Sequence, residues 1–321
     1  MKRLVWQQLM NWKQSPRRKP LILRGARQVG KTYTLQQFAR SQYQHLAYFN
    51  FEEDPALGDF FTARVNPSKL VEQLSLYSQI PIEPHKTLLF LDEIQECNRA
   101  LNALKYFCED APEYHVAAAG SLLGVTLSKP HSFPVGKVQF IQLFPMTFQE
   151  YLMANGQDGL NKVMSQKQDL KPLAQGFHQE LISAFHRYLV VGGMPEVVAF
   201  ERDTRDLNGV RDVQKAILDA YALDFAKHAP TSDVPKLQRI WQMIPSQLAR
   251  ENKKFLYSAL KQGARAREYE QALNWLRETG LIILSGKVSM PGWPLSGYVQ
   301  PSPGLCQCPA KTGSFGQARL P

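Results

Sequence analysis

The chain has 321 residues, 44% of them hydrophobic and 21% charged, so it is long enough for two or three domains with sizeable cores. It contains no apolar run of 18 residues, and its basic first ten residues lack the apolar segment of a secretion signal, so no membrane association is predicted. The net charge is +10, and the four cysteines form no C-x-x-C pair, which favours the reducing cytoplasm over a secreted disulfide scaffold.

The N-terminal segment predicts an amphipathic helix, whose apolar face would carry Leu4, Val5, Leu9 and Trp12. The apolar run 21–24 then predicts a buried strand, and residues 33–43 have apolar side chains at helical spacing. Between them lies a G-x-x-x-x-G-K-T sequence, made of Gly25, Ala26, Arg27, Gln28, Val29, Gly30, Lys31 and Thr32. Strand, glycine-rich loop and helix in this order are typical of a phosphate-binding loop, and a chance match is the alternative.

Each part of this loop has a predicted role. The glycines let backbone N–H groups curl round a phosphate, and the following helix directs its positive dipole end at the same anion. Lys31 would reach the β- and γ-phosphates, and the Thr32 hydroxyl would hold Mg²⁺. The sequence therefore predicts a nucleoside triphosphate site.

Further apolar runs predict four more strands, at 45–51, 87–91, 115–120 and 137–143, with helices at 67–79 and 99–109. This alternation predicts an α/β fold, a parallel sheet of the P-loop NTPase type with flanking helices. The phosphate-binding loop, Asp92-Glu93 and Ser121 all follow strands, and the carboxyl ends of parallel strands meet at one edge of the sheet.

Asp92 would hold Mg²⁺ opposite Thr32, and the adjacent Glu93 would polarise the attacking water. A strand followed by a helix capped by Asp92 is the alternative. Ser121 would sense the γ-phosphate, although a helix N-cap is an equal interpretation. Lys137 is either a further phosphate contact, in this or a neighbouring subunit, or a surface lysine.

The second half of the chain predicts helices. We expect a helical lid or connector over 151–235, with a polar connection at 155–169 and a hinge at 192–195, after an ATPase domain over 1–150. Residues 236–298 read as three helices and a hairpin with its tip at Ser285-Gly286, which fits a winged helix. Residues 299–321 are rich in proline and glycine and predict a disordered tail.

Two segments are strongly basic: residues 1–20 contain six basic and no acidic residues, and 236–287 contain ten basic and four acidic ones. This asymmetry suggests a polyanionic partner, with solvated basic faces as the alternative. DNA could bind through residues 236–290, where the candidates are Arg265, Arg267, Tyr269 and Lys287, although winged helices also bind proteins. Arg187, Arg202 and Arg205 are among the candidate arginine fingers. The histidines and Cys306-Gln307-Cys308 lack the spacing of a metal site.

The chain resembles the AAA-type predicted ATPases of prokaryotes, in which an AAA domain precedes a C-terminal domain of unknown function. The matching stretches are LILRGARQVGKT, LLFLDEIQ, AAAGSLLG, SFPVGKVQFIQLFPMTFQEYL, YLVVGGMPEVV and AREYEQALNWLRETGLI. The resemblance implies ATP and Mg²⁺ as ligands of Gly30, Lys31, Thr32, Asp92 and Glu93, a winged-helix region and a bacterial cytoplasmic setting. Family members usually continue beyond residue 298 into a further domain, so a truncated reading frame is expected here.

We therefore expect a Mg²⁺-dependent ATPase that hydrolyses the β–γ bond and forms a homo-oligomer or binds DNA. A nucleotide-regulated DNA- or protein-binding adaptor with little turnover is the main alternative. A P-loop kinase is a weaker one, because no arginine-rich lid follows the motifs.

Overall fold

A computed structural model describes residues 1–61, 65–121, 134, 136–167, 169, 171–249, 255–261, 265–285 and 304–307. The chain divides into two compact units, Lys2–Phe144 and Pro145–Pro321, and Met1 groups with the second. Within the described ranges no helix is both long and apolar enough to cross a membrane. The finer division into domains, with boundaries at residues 150, 235 and 298, stays a prediction.

The first unit contains a parallel sheet of five strands in the order β2-β3-β4-β1-β5. These are β1 (Leu21–Gly25), β2 (His45–Asn50), β3 (Thr87–Asp92), β4 (His115–Ser121) and β5 (Gln139–Gln142). The predicted P-loop NTPase sheet is confirmed. Because β4 lies between β1 and β3, the carboxyl ends of these three strands meet at one edge of the sheet.

The helices of this unit are α1 (Val5–Gln14), α2 (Lys31–Gln42), α3 (Pro67–Ser78) and α4 (Asn98–Asp110). β3 is buried along its whole length, as expected for an inner strand of a parallel sheet covered on both faces. In α1, Val5, Leu9 and Trp12 are buried as predicted, but Leu4 is 47% exposed. Leu4 precedes the first helical residue, so it does not continue the buried stripe.

The second unit begins with helices, as predicted. They are α5 (Phe148–Ala154), α6 (Asp158–Gln166), α7 (Gln175–Val191), α8 (Pro195–Thr204) and α9 (Leu207–His228). The polar connection expected at 155–169 was wrong for α6. This short helix buries Leu160 in a cluster with Leu152, Leu181 and Ala184, and tertiary packing outweighs its polar composition.

The predicted break at 192–195 separates α7 from α8. Gly192 has a positive φ of 77°, and the N–H of Met146 donates to the carbonyl of Gly193 at 2.6 Å. A Cβ on Gly193 would lie 2.3 Å from the Met146 carbonyl oxygen, so only glycine fits there. The backbone of the break is therefore hydrogen-bonded to Met146, at the start of the second unit.

The C-terminal region contains α10 (Val234–Leu248), one 3₁₀ turn (Tyr257–Ala259) and α11 (Ala266–Glu278). The middle helix of the predicted three is thus only a turn in the part described. Strand β6 (Ile283–Ser285) pairs antiparallel with β7 (Gly304–Gln307). The predicted tail therefore contains four residues of strand, which pair with β6. Residues 286–303 and 308–321 lie outside the described residues. The winged helix stays a prediction.

A buried histidine lies at the amino end of β4. His115 is 4% exposed, its Nδ1 is 2.7 Å from the Tyr43 hydroxyl, and its Nε2 is 3.3 Å from Nδ1 of His85. Burial, together with the smaller effect of the nearby charges of Arg18, His85 and Lys13, lowers the pKa of His115 from 6.5 to about 3. The imidazole is therefore neutral in the folded protein near pH 7.

We predict that this histidine makes the fold less stable in mild acid. The unfolded chain binds a proton at His115 near pH 6.5, whereas the folded chain does not until about pH 3, so stability falls as the pH drops through this window. Between pH 7.5 and 5.5 the residue should cost about 1.4 kcal/mol of unfolding free energy. Urea denaturation of the wild type and His115→Gln at the two pH values measures this loss.

Between pH 7.5 and 5.5, His115→Gln should lose about 1.4 kcal/mol less unfolding free energy than the wild type does. His45→Gln, which removes a half-buried histidine of the same unit, serves as the control and should follow the wild type. An identical acid sensitivity in His115→Gln and the wild type would show that folding does not lower the pKa of His115.

Candidate functional site

The phosphate-binding loop joins β1 to α2 through two left-handed residues. Gln28 has a φ of 61° and Gly30 a φ of 88°, and α2 begins at the next residue, Lys31. Gly25 lies against the chain that follows β5, where an added Cβ would be 2.3 Å from the carbonyl oxygen of Leu143. The loop is therefore fixed at its first glycine by close backbone packing and turned by its second.

The predicted phosphate-binding lysine is buried in its own loop. Lys31 is 7% exposed, and its ammonium group donates to the carbonyl oxygens of Gly25 at 3.1 Å and of Ala26 at 2.9 Å. These contacts hold a positive charge inside the turn of the loop. A charge in this position suits an anionic ligand at the N-terminus of α2.

A hydrogen bond joins the loop to the end of β3. The Thr32 hydroxyl donates to Oδ2 of Asp92 at 2.7 Å, and the Tyr48 hydroxyl donates to the same oxygen at 3.0 Å. The backbone N–H of Glu93 donates to the other carboxylate oxygen, Oδ1, also at 3.0 Å. Two predicted Mg²⁺ ligands from segments 60 residues apart are thus in direct contact.

The surroundings of Asp92 fit a divalent cation. The side chain is 2% exposed, and burial raises its pKa, with a smaller contribution from the charge of Glu93. The hydrogen bonds from Thr32 and Tyr48 oppose this rise, but no cationic group of the described residues does. Mg²⁺ prefers oxygen ligands and needs only one or two carboxylates beside phosphate and water, so these residues could hold it.

Glu93 follows Asp92 in a left-handed conformation, with φ 47° and ψ 44°. Such a conformation costs on the order of 1–3 kcal/mol for a residue other than glycine, and it also occurs outside the site, at Gln79 and Arg205. The Glu93 carboxylate accepts a hydrogen bond from the side-chain amide of Gln95. Oε1 of Gln95 is buried and has no partner among the described residues.

Ser121 and Lys137, the two further residues predicted to contact phosphate, lie at different ends of the sheet. Ser121 ends β4 and is in register with Gly25 of β1, which puts its backbone beside the phosphate-binding loop; its side chain lies outside the described residues. Lys137 precedes β5 and forms a 2.8 Å ion pair with Glu109 in the last turn of α4. It therefore lies at the amino ends of the strands, away from this chain's loop, and the phosphate contact predicted within the chain was wrong.

Sequence reasoning missed Arg3. It is 8% exposed, and its guanidinium group donates to the carbonyl oxygen of Val29 in the loop at 3.0 Å and to that of Phe144 after β5 at 2.5 Å. Tyr48 and Gln95 were missed as well. No motif marks any of these three residues.

Comparison with known proteins now identifies the fold. Residues 17–152 match the family model of an AAA domain, and residues 182–292 match that of a domain of unknown function. The chain therefore contains an AAA domain with the P-loop ATPase fold, followed by a domain of unknown function. No curated protein matches it in sequence.

Three solved structures illustrate how far this likeness extends. The Walker-type ATPase PABY2304 of Pyrococcus abyssi is 12% identical, with a TM-score of 0.54 over 97% of this chain and 93% of that one. RuvB of Thermotoga maritima is 14% identical (TM-score 0.40, covering 99% and 95%). ORC1 of Aeropyrum pernix in complex with DNA is 10% identical (TM-score 0.37, covering 98% and 90%). Of the three, only the first has a TM-score above 0.5, and it supports the fold alone.

The candidate arginine fingers form ion pairs within the second unit. Glu201 is completely buried, and its Oε1 accepts from Arg187 at 2.6 Å and from Arg205 at 3.1 Å, while Arg202 pairs with Asp203 at 2.7 Å. Withdrawing both partners would leave the Glu201 carboxylate buried and uncompensated. Arg187 and Arg205 therefore stabilise the core of their own unit.

We predict that Arg3→Met weakens nucleotide binding by the AAA domain about tenfold or more. Each hydrogen bond from a charged donor to a buried carbonyl contributes about 1.5–3 kcal/mol, and one of the two fixes the loop at Val29. Binding of a fluorescent ATP analogue measures the effect. Arg17→Met, which removes an exposed charge from the same N-terminal segment, should bind like the wild type.

Proposed function

We propose that the chain binds ATP together with Mg²⁺ between the phosphate-binding loop and the end of β3, and hydrolyses the β–γ bond. The observation that carries this proposal is the 2.7 Å hydrogen bond from Thr32 to Asp92. It brings a hydroxyl and a buried carboxylate together at the N-terminus of α2, where Thr32 directly follows the buried Lys31. This arrangement suits a triphosphate and a hard cation.

Each residue of the site has a proposed role. Lys31 would exchange its carbonyl acceptors in the loop for the β- and γ-phosphate oxygens, and the backbone from Gly25 to Thr32 would surround the phosphates. Thr32 and Asp92 would hold Mg²⁺, which neutralises charge on the phosphate oxygens when it is bound. Glu93 would orient and polarise the attacking water, and Ser121 would sense the γ-phosphate.

The main alternative is a nucleotide-regulated adaptor that binds DNA or a protein and turns ATP over slowly. The ATPase and the adaptor both require nucleotide binding, so only the rate of ATP hydrolysis distinguishes the two hypotheses. The position of Glu93 directly after Asp92 at the end of β3 favours the enzyme, because a second carboxylate there could polarise the attacking water, whereas an adaptor would need only the phosphate-binding loop and Asp92.

We predict that Glu93→Gln keeps ATP binding but lowers hydrolysis on the order of 10² to 10³-fold, because one contact to the transition state is lost. Lys31→Ala should lose both binding and hydrolysis. Phosphate release and binding of a fluorescent ATP analogue, measured side by side, separate these effects. Glu96→Gln, three residues further on and exposed, should behave like the wild type. Unchanged turnover in Glu93→Gln would remove Glu93 from the mechanism.

We further propose that the protein works in the cytoplasm and that its C-terminal region, residues 236–290, contacts DNA. Cys97 and Cys108 are free thiols, as expected in a reducing compartment. Arg265 and Arg267 are exposed at the start of α11, where they could reach phosphates. Tyr269 is buried instead and accepts a hydrogen bond from Arg239, so it is not part of this surface, and Lys287 lies outside the described residues.

The other basic segment supports DNA binding less well. Beside Arg3, three of its basic side chains donate to backbone carbonyls of the same unit. Their acceptors are Gln42 for Lys13, Lys13 and Pro112 for Arg18, and Gly136 for Lys19.

We propose a homo-oligomer for a separate reason. An arginine finger can come from a neighbouring subunit, and Arg187 and Arg205 are already paired within this chain.

If Arg265 and Arg267 contact phosphates, binding should weaken steeply with salt, and the double change to Gln should reduce the slope of log K against log salt by about 1.8. Gel shifts and fluorescence anisotropy with double-stranded DNA measure this, together with ATP turnover in its presence. Arg277→Gln, at the other end of α11, is the control. Absence of a shift with full-length protein at low salt would count against the DNA proposal.

A further inference from the structure

We propose that Tyr48 is a positioning residue for Mg²⁺ binding, which holds the Asp92 carboxylate in the orientation that the cation requires. The inference rests on the proposed function and deepens it, because it adds a residue outside both nucleotide-binding motifs. Tyr48 belongs to β2, which contributes neither the phosphate-binding loop nor Asp92.

The register of the sheet puts Tyr48 beside Asp92. β2 and β3 pair in parallel, with Tyr48 opposite Phe90 and Asn50 opposite Asp92. The neighbours of Tyr48 in β2, Ala47 and Phe49, are buried in the core, so the tyrosine is on the opposite face of the strand. Its ring packs on that of Phe90 at a centroid distance of 5.2 Å, and its hydroxyl reaches Oδ2 of Asp92 at 3.0 Å.

Oδ2 of Asp92 therefore accepts two side-chain hydrogen bonds, one from Thr32 and one from Tyr48. These two donors are expected to behave differently when Mg²⁺ binds. The Thr32 oxygen is itself a candidate Mg²⁺ ligand, whereas Tyr48 is not. The Tyr48 phenol is thus the side-chain donor that can keep the carboxylate oriented when the cation binds.

A carboxylate held in this way loses less freedom on coordination than a mobile one. Residues that orient a metal ligand in other proteins typically contribute about 10–100-fold to metal affinity. Tyr48→Phe retains the ring on Phe90 and removes only the hydroxyl, so the loss should fall on Mg²⁺ and not on the fold.

The test compares full-length wild type, Tyr48→Phe and Tyr43→Phe by titrating Mg²⁺ into protein with a fluorescent ATP analogue. Tyr43 is the matched control, since it is half-buried and its hydroxyl also has a side-chain partner, Nδ1 of His115 at 2.7 Å. Nucleotide affinity in EDTA and the melting temperature are measured for all three proteins. We expect Tyr48→Phe to need about tenfold more Mg²⁺ for half-maximal binding, with unchanged affinity in EDTA. Tyr43→Phe should match the wild type.

Each other outcome overturns the assignment. An unchanged Mg²⁺ requirement in Tyr48→Phe would show that Tyr48 does not position Asp92. A weaker affinity in EDTA, or an equal Mg²⁺ shift in Tyr43→Phe, would indicate a structural role. Wild-type protein that binds the nucleotide equally well with and without Mg²⁺ would overturn this assignment alone, whereas wild type that binds no nucleotide would overturn the proposed function as well.

Discussion

The hydrogen bond from Thr32 to Asp92 depends on most of the first unit being in place. Thr32 is in the first turn of α2, which begins where the left-handed Gly30 ends the loop. Asp92 ends a strand that β4 separates from β1, so the loop and the carboxylate meet only because the sheet has this order. Gly25 adds a further condition, since the loop leaves β1 in direct contact with the backbone at Leu143. A buried carboxylate with no compensating cation among the described residues is costly, and the chain tolerates it at the one point where these segments converge.

Local patterns were enough to predict the strands, the helices that flank them and the motif residues. Strand periodicity and turn residues are encoded over a few positions, and a P-loop needs glycine where backbone approaches backbone. Arg3 and Tyr48 could not be found in this way. Arg3 reaches Val29 and Phe144, which are 26 and 141 residues away, and Tyr48 reaches Asp92 only through the pairing of β2 with β3. Their roles follow from the order and register of the strands, which no short window of sequence contains.

The basic segments show why net charge is a weak guide to partners. A lysine or arginine whose head group donates to a backbone carbonyl keeps its charge, but fewer of its N–H donors are left for a polyanion. Lys13, Arg18 and Lys19 do this in the first unit. Arg265 and Arg267 differ, because they lie exposed at the start of a helix. Charge counted along the sequence therefore overstates the N-terminal segment as a binding surface.

Glu201 and Asp92 are both buried carboxylates, but they differ in how their negative charge is balanced. Glu201 is compensated by two arginines and accepts a further hydrogen bond from Tyr151 at 3.3 Å, so its charge is balanced within the fold. Among the described residues, Asp92 accepts hydrogen bonds from neutral donors alone, which are Thr32, Tyr48 and the backbone of Glu93. Hydrogen bonds orient a carboxylate but do not neutralise it, and the proposed Mg²⁺ would supply the balancing charge at Asp92.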